Sequence, residues 1–301
     1  MIYQLSSLAR LEAEAIDIIR EAVAEARNPV MLFSVGKDSG VMLELARRAF
    51  HPGKVPFPLM HIDCCWDFSA MYTLRDELVD RYGLKLVVQQ SETARDTSVD
   101  PWAMGSDVFT ELTLTESLKA GLTAHGFDVV FGGGRRDEEK SRAKERICSI
   151  RNELHQWEPR NQRPELWHLF NLRMHQRENM RVFPLSDWTE MDIWMYTRWR
   201  EIPLVPLYHA ARRPVVWRDG CWILRDDERM TLRPGEQVEE RMVRFRTLGA
   251  YPFTAASESN AVTVEDIIQE LVETNSSERS GRVIDADQEA AMERRKRNGY
   301  F

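Results

Sequence analysis

The sequence is poor in cysteine and has no long apolar segment. Its 301 residues include four cysteines, Cys64, Cys65, Cys148 and Cys221, and their spacing is typical of neither a zinc knuckle nor a secreted disulfide framework. No run of about 18 apolar residues occurs, so we expect no transmembrane helix. The first 27 residues also lack the basic start and apolar run of a signal peptide. We therefore expect a soluble, cytoplasmic protein with reduced thiols.

The sequence also has no excess of positive charge. It contains 41 Lys and Arg against 48 Asp and Glu, which gives a net charge of −7. This charge disfavours a protein that binds nucleic acid through global attraction, so a bound polyanion must meet a local basic patch. With 43% hydrophobic residues, the chain is able to build a full core. We expect neither a nucleic-acid nor a membrane partner.

Apolar patterning predicts strands and helices that alternate along the first half. An amphipathic helix comes first, over residues 7–26, and short apolar runs then alternate with helical stretches. The strands are predicted at 30–33, 59–63, 84–88 and 129–131, and the helices at 39–50, 68–82 and 115–125. This alternation predicts a doubly wound, mostly parallel α/β sheet. In such a sheet the ligand binds at the carboxyl ends of the strands.

The second half is more irregular. It contains a strand candidate at Val182-Phe183, a helix over Thr189–Trp199, a hairpin about Asp219-Gly220 and a last helix over Thr263–Glu273. A basic run, Arg294 to Arg297, lies near the end. We predict a nucleotide-binding domain over residues 1–200 and, over residues 201–301, an extension with a small hairpin, a helix and a basic tail.

The strongest local motif follows the first predicted strand. The residues are Ser34, Val35, Gly36, Lys37, Asp38 and Ser39. They do not form a Walker A loop, because Asp38 rather than Ser or Thr follows Lys37. They match the S-x-G-x-D-S pattern of the pyrophosphatase-type loop, the PP-loop, in which amides and hydroxyls at a helix N-terminus hold the phosphates of ATP. The alternative is an ordinary turn capped by Ser39.

Two further strand ends carry candidate ligands. Asp63 follows the second strand, where it either accepts hydrogen bonds from a nucleotide or caps the next helix. Gly132 and Gly133 follow the fourth strand with exposed amides, and nearby cations make a local anion site. Arg135, Arg136 and Arg142 are its candidate ligands, since arginine suits two-pronged contacts with phosphate or sulfate. The alternative is a solvated charged helix with Glu138 and Arg142 paired at i,i+4.

Taken together, these segments resemble the subunit 2 family of the two-subunit bacterial sulfate adenylyltransferase. The resemblance extends from about Leu11 to Phe301. The runs that carry it include Asn28 to Leu32, Gly36 to Ser39, Gly132-Gly133, Arg135 to Arg146, Asn161 to Trp167, Arg241 to Gly249 and Gly281 to Asp285.

The resemblance implies an adenine nucleotide alpha hydrolase-like domain that transfers the adenylyl group of ATP to sulfate and releases pyrophosphate. It assigns Ser34 to Ser39 to the ATP phosphates, with Asp38 reaching them through Mg²⁺, and the three arginines to sulfate or pyrophosphate. It also implies a separate large GTPase subunit, so that GTP acts only through this partner, in a heterodimer or a higher-order hetero-oligomer. The chain itself has no Walker A loop and no Asn-Lys-x-Asp motif.

The sequence disfavours three alternatives to this function. A sulfonucleotide reductase needs a cysteine nucleophile in its C-terminal tail, whereas the last cysteine here is Cys221. A non-catalytic regulator of the GTPase is disfavoured because Lys37 and Asp38 are present. Adenylation of nucleic acid is disfavoured by the absence of a net basic charge.

The chain departs from the expected family pattern at three places. Cys64-Cys65 replaces the expected Thr-Gly after Asp63, Ala250 replaces a cysteine, and Gly40 stands where relatives often have Ser. The first change lies beside the expected adenosine pocket, and a specialised or an impaired paralogue is consistent with it.

Overall fold

The computed structural model describes residues 2–96, 98–138, 142–175 and 178–273. The helices are α1 (Ile2–Glu25), α2 (Lys37–Ala49), α3 (Ser69–Tyr82), α4 (Glu92–Arg95), α5 (Pro101–Met104), α6 (Ser106–Thr110), α7 (Glu116–His125), α8 (Glu190–Arg200) and α9 (Val264–Glu273). The strands are β1 (Pro29–Leu32), β2 (Leu59–Ile62), β3 (Leu86–Gln89), β4 (Val129–Phe131), β5 (Cys148–Arg151), β6 (Asn179–Val182), β7 (Ala211–Arg218), β8 (Cys221–Leu224), β9 (Val238–Arg244) and β10 (Ser257–Glu258).

Six strands form the main sheet, in the order β3-β2-β1-β4-β6-β5. All neighbours are parallel except β5, which runs antiparallel to β6 at one edge. The central strands are short and almost wholly apolar, as expected for strands covered on both faces. Val30, Met31, Val129 and Phe131 are fully or almost fully buried.

The strand order changes direction between β1 and β4. The chain moves outward from β1 to β2 and β3, then returns across the sheet to β4 and continues to β6. A crevice opens at such a point, outside the carboxyl ends of the two strands, because their following loops turn to opposite faces. The loops after Leu32 and Phe131 therefore flank this crevice.

A second, antiparallel sheet has the order β10-β9-β7-β8. The predicted hairpin is present between β7 and β8, with φ of 50° at Asp219 and 81° at Gly220. Positive φ at both central residues is typical of the turn that matches the strand twist. The helix predicted over Thr189–Trp199 is α8, which begins with a capping box formed by Thr189 and Asp192, and α9 packs on α8.

The predicted α/β alternation is confirmed, and the element bounds differ by a few residues. The segment predicted to begin a helix at Thr115 starts with a π-helical turn over Glu111–Thr115, which joins α6 to α7. Patterning missed β5, β9 and β10, because their polar and charged residues mask the strand period. The basic run at Arg294 to Arg297 lies outside the described residues.

Within the described ranges, no helix combines the length and the apolarity needed to cross a lipid bilayer.

Candidate active site

A cavity of about 270 Å³ lies at the carboxyl ends of β1, β2 and β4. Polar residues of the loop after β1, glycines after β4 and one arginine line one part: Ser34, Asp38, Ser39, Gly132, Gly133, Gly134, Glu138 and Arg142. Apolar side chains line another part: Leu32, Phe33, Met60, Ile62, Met71, Leu114 and Leu118. One cavity therefore offers a polar floor beside an apolar wall.

The segment after β9 supplies a further wall. Leu248, Gly249, Ala250, Phe253 and Thr254 line the cavity from this side. Sequence reasoning did not find this wall, because its residues lie more than 200 positions from the loop after β1. Ala250, one of the departures from the family pattern, is thus part of the cavity surface.

The loop after β1 is held by contacts from distant parts of the fold. The backbone N–H of Lys37 donates to the Tyr208 hydroxyl at 2.9 Å, and the Ser39 hydroxyl donates to the Gly36 carbonyl at 2.9 Å. Val35 is buried with a φ of 60°, a left-handed conformation that a β-branched residue adopts only when its surroundings impose it.

A glycine after β4 packs directly on this loop. A Cβ atom at Gly133 would lie 3.2 Å from Asp38 Cβ and 3.7 Å from the Ser39 nitrogen. The absence of a side chain at Gly133 therefore lets the two loops approach across the crevice.

Asp38 lies between two buried cations. Its Oδ1 atom accepts a hydrogen bond from Arg135 Nε at 2.7 Å, and its Oδ2 atom lies 3.3 Å from Lys37 Nζ. The side chains of Lys37 and Arg135 are 1% and 0% exposed, whereas that of Asp38 is 25% exposed. Two buried cations therefore lie beneath the cavity, in a chain that is acidic overall.

The structure brings Arg142, but not Arg136, to the cavity surface. Arg142 lines the cavity, and its Nε atom lies 3.4 Å from Glu138 Oε2. The predicted i,i+4 pair is therefore present, and Arg142 lies in a 3₁₀ turn over Arg142–Lys144. Arg142 is 8% exposed, which contradicts the alternative of a solvated charged helix.

Arg136 lies among carboxylates outside the cavity lining. It forms an ion pair with Asp187, and its Nη2 atom lies 3.8 Å from Glu165 Oε2. The same guanidinium donates to the Glu145 carbonyl at 3.5 Å. These contacts fix Arg136 against neighbouring loops and give no support to its expected role as a sulfate ligand.

Asp63 is buried among internal donors. Its Oδ1 atom accepts from the Cys65 backbone at 2.7 Å and from the Tyr72 hydroxyl at 2.8 Å, while Oδ2 accepts from Gln90 at 2.8 Å. Burial raises the pKa of Asp63, but these donors outweigh it and the net pKa is lowered. Asp63 does not cap α3, because the Ser69 N–H donates to Asp226.

A histidine that sequence reasoning did not single out also lines the cavity. His61 is 1% exposed, and its Nδ1 atom lies 2.9 Å from the Phe33 carbonyl, directly before the loop. Its Nε2 atom lies 3.2 Å from Asp67 Oδ2. Burial lowers the pKa of His61, but Asp67 and the Phe33 carbonyl outweigh it and the net pKa is raised. The sequence feature that could have identified His61 is its position as a histidine inside an apolar strand.

Comparison with known proteins gives sequence relatives along almost the whole chain. The family model of the phosphoadenosine phosphosulfate reductase domain matches residues 28–256. The chain is 57% identical over 299 residues to "Sulfate adenylyltransferase subunit 2" of Saccharophagus degradans, covering 99% of both chains. It is 56% identical to the protein of that name from Bacteroides fragilis, again covering 99% of both. With that of Myxococcus xanthus it shares 56% identity, over 98% of this chain and 97% of the relative.

A solved structure has a similar fold at low sequence identity. The FMN adenylyltransferase of Candida glabrata in complex with ATP aligns with a TM-score of 0.51 and 15% identity. The alignment covers 93% of this chain and 88% of that chain. This similarity confirms the predicted fold class.

Proposed function

Because the chain belongs to the family of sulfate adenylyltransferase subunit 2, we propose that its cavity binds ATP and sulfate and joins them. The products are adenosine 5′-phosphosulfate and pyrophosphate, the first step of sulfate assimilation. Membership of this family makes the chain a nucleotidyltransferase. The observation that carries the proposed site is the arrangement of Lys37, Asp38 and Arg135 beneath a cavity at the point where the strand order reverses.

The two parts of the cavity suit the two parts of ATP. The triphosphate lies over Ser34 to Ser39, where loop amides, hydroxyls and the N-terminus of α2 favour negative charge. The adenosine lies against the apolar wall, with Asp63 a further candidate contact. Gly132 and Gly133 border the phosphates from the opposite loop. Lys37 and Arg135 add positive charge from beneath.

The reaction needs alignment more than proton transfer. A sulfate oxygen attacks the α-phosphorus and forms a P–O bond, while the bond from that phosphorus to the pyrophosphate breaks and its electron pair leaves with pyrophosphate. Sulfate is already an anion, so no general base is required. Fixed positive charge stabilises the crowded anionic transition state. Arg142, on the cavity surface, is the arginine we assign to sulfate.

Mg²⁺ enters this account as part of the MgATP substrate. Asp38 is the carboxylate at the loop, and we assign it the contact with this ion. Both of its oxygens already face a cation, at 2.7 Å and 3.3 Å. Asp38 is therefore a weak ligand, and the phosphates hold the ion for the most part.

The relatives' name, subunit 2, implies a partner subunit. We propose that this partner is a large GTPase whose GTP hydrolysis drives the otherwise unfavourable reaction in the cytoplasm, without nucleic acid or membrane. The chain has no GTPase motif of its own, which requires a separate polypeptide. The basic run Arg294 to Arg297 is a candidate for contacts with this partner or for closure over the site.

A sulfonucleotide reductase is the alternative that the matched domain model suggests. The four cysteines are free, but Cys64 and Cys148 are buried, and burial raises the pKa of both thiols well above the ordinary value. A thiol in that state is a poor nucleophile. With no cysteine after Cys221, the chain lacks the tail thiol that such a reductase uses.

The test is pyrophosphate release by the chain copurified with its large subunit. We expect release to require ATP, sulfate and GTP together. Lys37→Met keeps the length of the side chain but removes its charge, and we expect a loss of at least about 100-fold. Lys54→Met, at an exposed lysine, should retain full activity.

Three results would contradict the proposal. They are release that does not depend on sulfate, full activity in Lys37→Met, and sulfite release that depends on thioredoxin.

A further inference from the structure

Two buried carboxylates and a buried histidine meet beside the nucleotide cavity. One ring nitrogen of His61 and one carboxylate oxygen each of Asp63 and Asp67 all lie within 4.8 Å of one another. Each of the three residues is less than 10% exposed. His61 ends the buried part of β2, and both aspartates lie in the turn that leads to α3. The three side chains come from a stretch of only seven residues and meet in space.

Among the residues that the structure describes, neither carboxylate pairs with a lysine or an arginine. Among the described residues, Asp67 forms an ion pair only with His61, and Asp63 forms none. The arginines nearby bind other carboxylates: Arg75 pairs with Asp76 at 2.8 Å and Arg229 with Asp227 at 2.7 Å. Arg229 also donates to the backbone carbonyls of Cys65 and Asp67, at 2.8 Å and 3.1 Å, but it does not reach either carboxylate. Three hydrogen-bond donors compensate Asp63, whereas buried Asp67 has only His61 and the Cys64 thiol beside its carboxylate, a setting in which a bound cation is stabilising.

The orientation of His61 is that of a metal ligand. Its Nδ1–H donates to the Phe33 carbonyl, so Nε2 is the nitrogen that faces Asp67. Metal-bound histidines usually donate their second nitrogen to a carbonyl or a carboxylate in this way. His61 therefore presents to Asp67 the nitrogen that a metal ion would bind in place of a proton.

The contact between His61 and Asp67 has the spacing of two ligands of one ion. Nε2 and Oδ2 are 3.2 Å apart, yet Nε2 has no hydrogen-bond partner in acceptable geometry. The two atoms are therefore at a separation that a shared ion would also require. Ligand atoms about 2.1 Å from one ion are separated by about 3.0–3.4 Å in octahedral or tetrahedral geometry.

We propose that His61, Asp67 and Asp63 bind a divalent transition-metal cation, of which Zn²⁺ is the best fit, at the wall of the nucleotide cavity. One imidazole and two carboxylates form a mixed nitrogen and oxygen ligand set that suits such ions better than Ca²⁺. The ion would tie the end of β2 to the turn before α3 and, through His61, support the Phe33 carbonyl before the phosphate loop. This site is separate from the MgATP that we place at Asp38.

The test measures metal binding by the untagged full chain, without ATP or partner. After removal of metals with a chelator, the protein is dialysed against micromolar free Zn²⁺ and bound zinc is measured. We expect one Zn²⁺ per chain. Co²⁺ should give visible absorption bands that Zn²⁺ abolishes by competition.

Matched variants separate the site from adventitious binding. In His61→Asn, the amide nitrogen lies near the position of Nδ1 and preserves the contact with Phe33, while the Nε2 ligand is lost. We expect His61→Asn and Asp67→Asn to weaken Zn²⁺ binding by at least about 100-fold. His125→Asn, at an exposed histidine, should bind as the parent chain does.

The proposal is overturned if the parent chain retains no Zn²⁺ and gives no Co²⁺ bands. Equal binding by Asp67→Asn and the parent chain would also overturn it. The Co²⁺ titration needs no variant, so it decides the matter even where a substitution prevents folding. Since none of these measurements involves adenylyl transfer, their failure would leave the proposed function intact.

Discussion

Arg135 Nε donates a hydrogen bond of 2.7 Å to Asp38 Oδ1 across the crevice between two loops. Arg135 follows β4, while Asp38 lies in the first turn of α2, after β1. The guanidinium is fully buried, so its charge depends on this carboxylate and on Asp137, whose oxygen lies 3.6 Å from Nη1. One contact thus links the two strand ends that flank the proposed site.

Replacement of Arg135 tests whether this link matters for the reaction. Lysine keeps the charge but cannot reproduce the planar, forked donor set of arginine. We expect Arg135→Lys to lower kcat of the complex by about 100-fold, because the positive charge no longer lies where the transition state needs it. Arg233→Lys, in an exposed ion pair with Asp219, is the matched control. Equal rates for the two variants would disprove this role.

A second prediction concerns a buried carboxylate next to β5. Glu145, 4% exposed, forms an ion pair with Arg151, whose side chain is fully buried, and accepts from Ser149 Oγ at 3.3 Å. Glu145→Gln leaves the Arg151 charge without compensation, so we expect the free energy of unfolding to fall by about 3–5 kcal/mol. Urea denaturation measures this change.

The matched control for that experiment is Asp219→Asn. It breaks an exposed pair with Arg233 and should cost less than about 1 kcal/mol. If Glu145→Gln also lowers the free energy of unfolding by less than about 1 kcal/mol, another group must compensate the charge of Arg151.

The environment of His155 leads us to expect that the stability of the fold depends on pH. Asn179 Nδ2 donates to its Nδ1 at 2.9 Å, so Nε2 carries the proton and faces Thr123 Oγ1 at 3.0 Å. Burial and the charge of Arg181 lower the pKa of His155 to about 4, against about 6.5 in the unfolded chain. The unfolded state therefore binds more protons between these values, and the stability that neutral His155 contributes is lost as pH falls from 6.5 towards 4.

Urea denaturation at pH 7 and pH 5 checks this sign and its size. We expect the parent chain to lose about 2 kcal/mol more than His155→Asn over this range. Asparagine tolerates the left-handed conformation at this position, where φ is 62°. The same pH slope in both proteins would show that His155 titrates normally when folded.

The departure from the family pattern at Cys65 has a backbone consequence. Cys65 has a φ of 60°, a region in which a side chain costs about 1–2 kcal/mol and glycine costs little. The glycine expected there in relatives is thus the conformationally favoured residue. We expect the free energy of unfolding of Cys65→Gly, measured by urea denaturation, to exceed that of Cys65→Ala by about 1 kcal/mol. Both variants lose the thiol, so the difference isolates the backbone, and no difference would refute the argument.

Much of the fold follows from local pattern, because periodicity and turn chemistry are local properties. Neighbouring residues alone predict the apolar strand that ends at Phe33, the helix that begins at Thr189 and the turn at Gly220. The loop from Ser34 to Ser39 was found for the same reason, since its small and charged residues lie in one segment.

The remaining features depend on contacts between distant segments. Tyr208 reaches the loop from more than 170 positions away, and the wall at Ala250 comes from a segment after β9. Sequence spacing also could not predict that Arg142 lines the cavity while Arg136 pairs with Asp187. Six positions separate the two arginines, but tertiary packing alone decides which carboxylates each one meets.

The attack of a sulfate oxygen on the α-phosphorus of ATP is the central claim, and ¹⁸O-labelled sulfate tests it most directly. The complex of this chain with its large subunit is incubated with labelled sulfate, MgATP and GTP, and the products are analysed by mass spectrometry. Adenosine 5′-phosphosulfate should retain all the heavy oxygens of sulfate, and pyrophosphate should contain none. Heavy oxygen in the pyrophosphate, or ADP as the nucleotide product formed from ATP, would contradict the account.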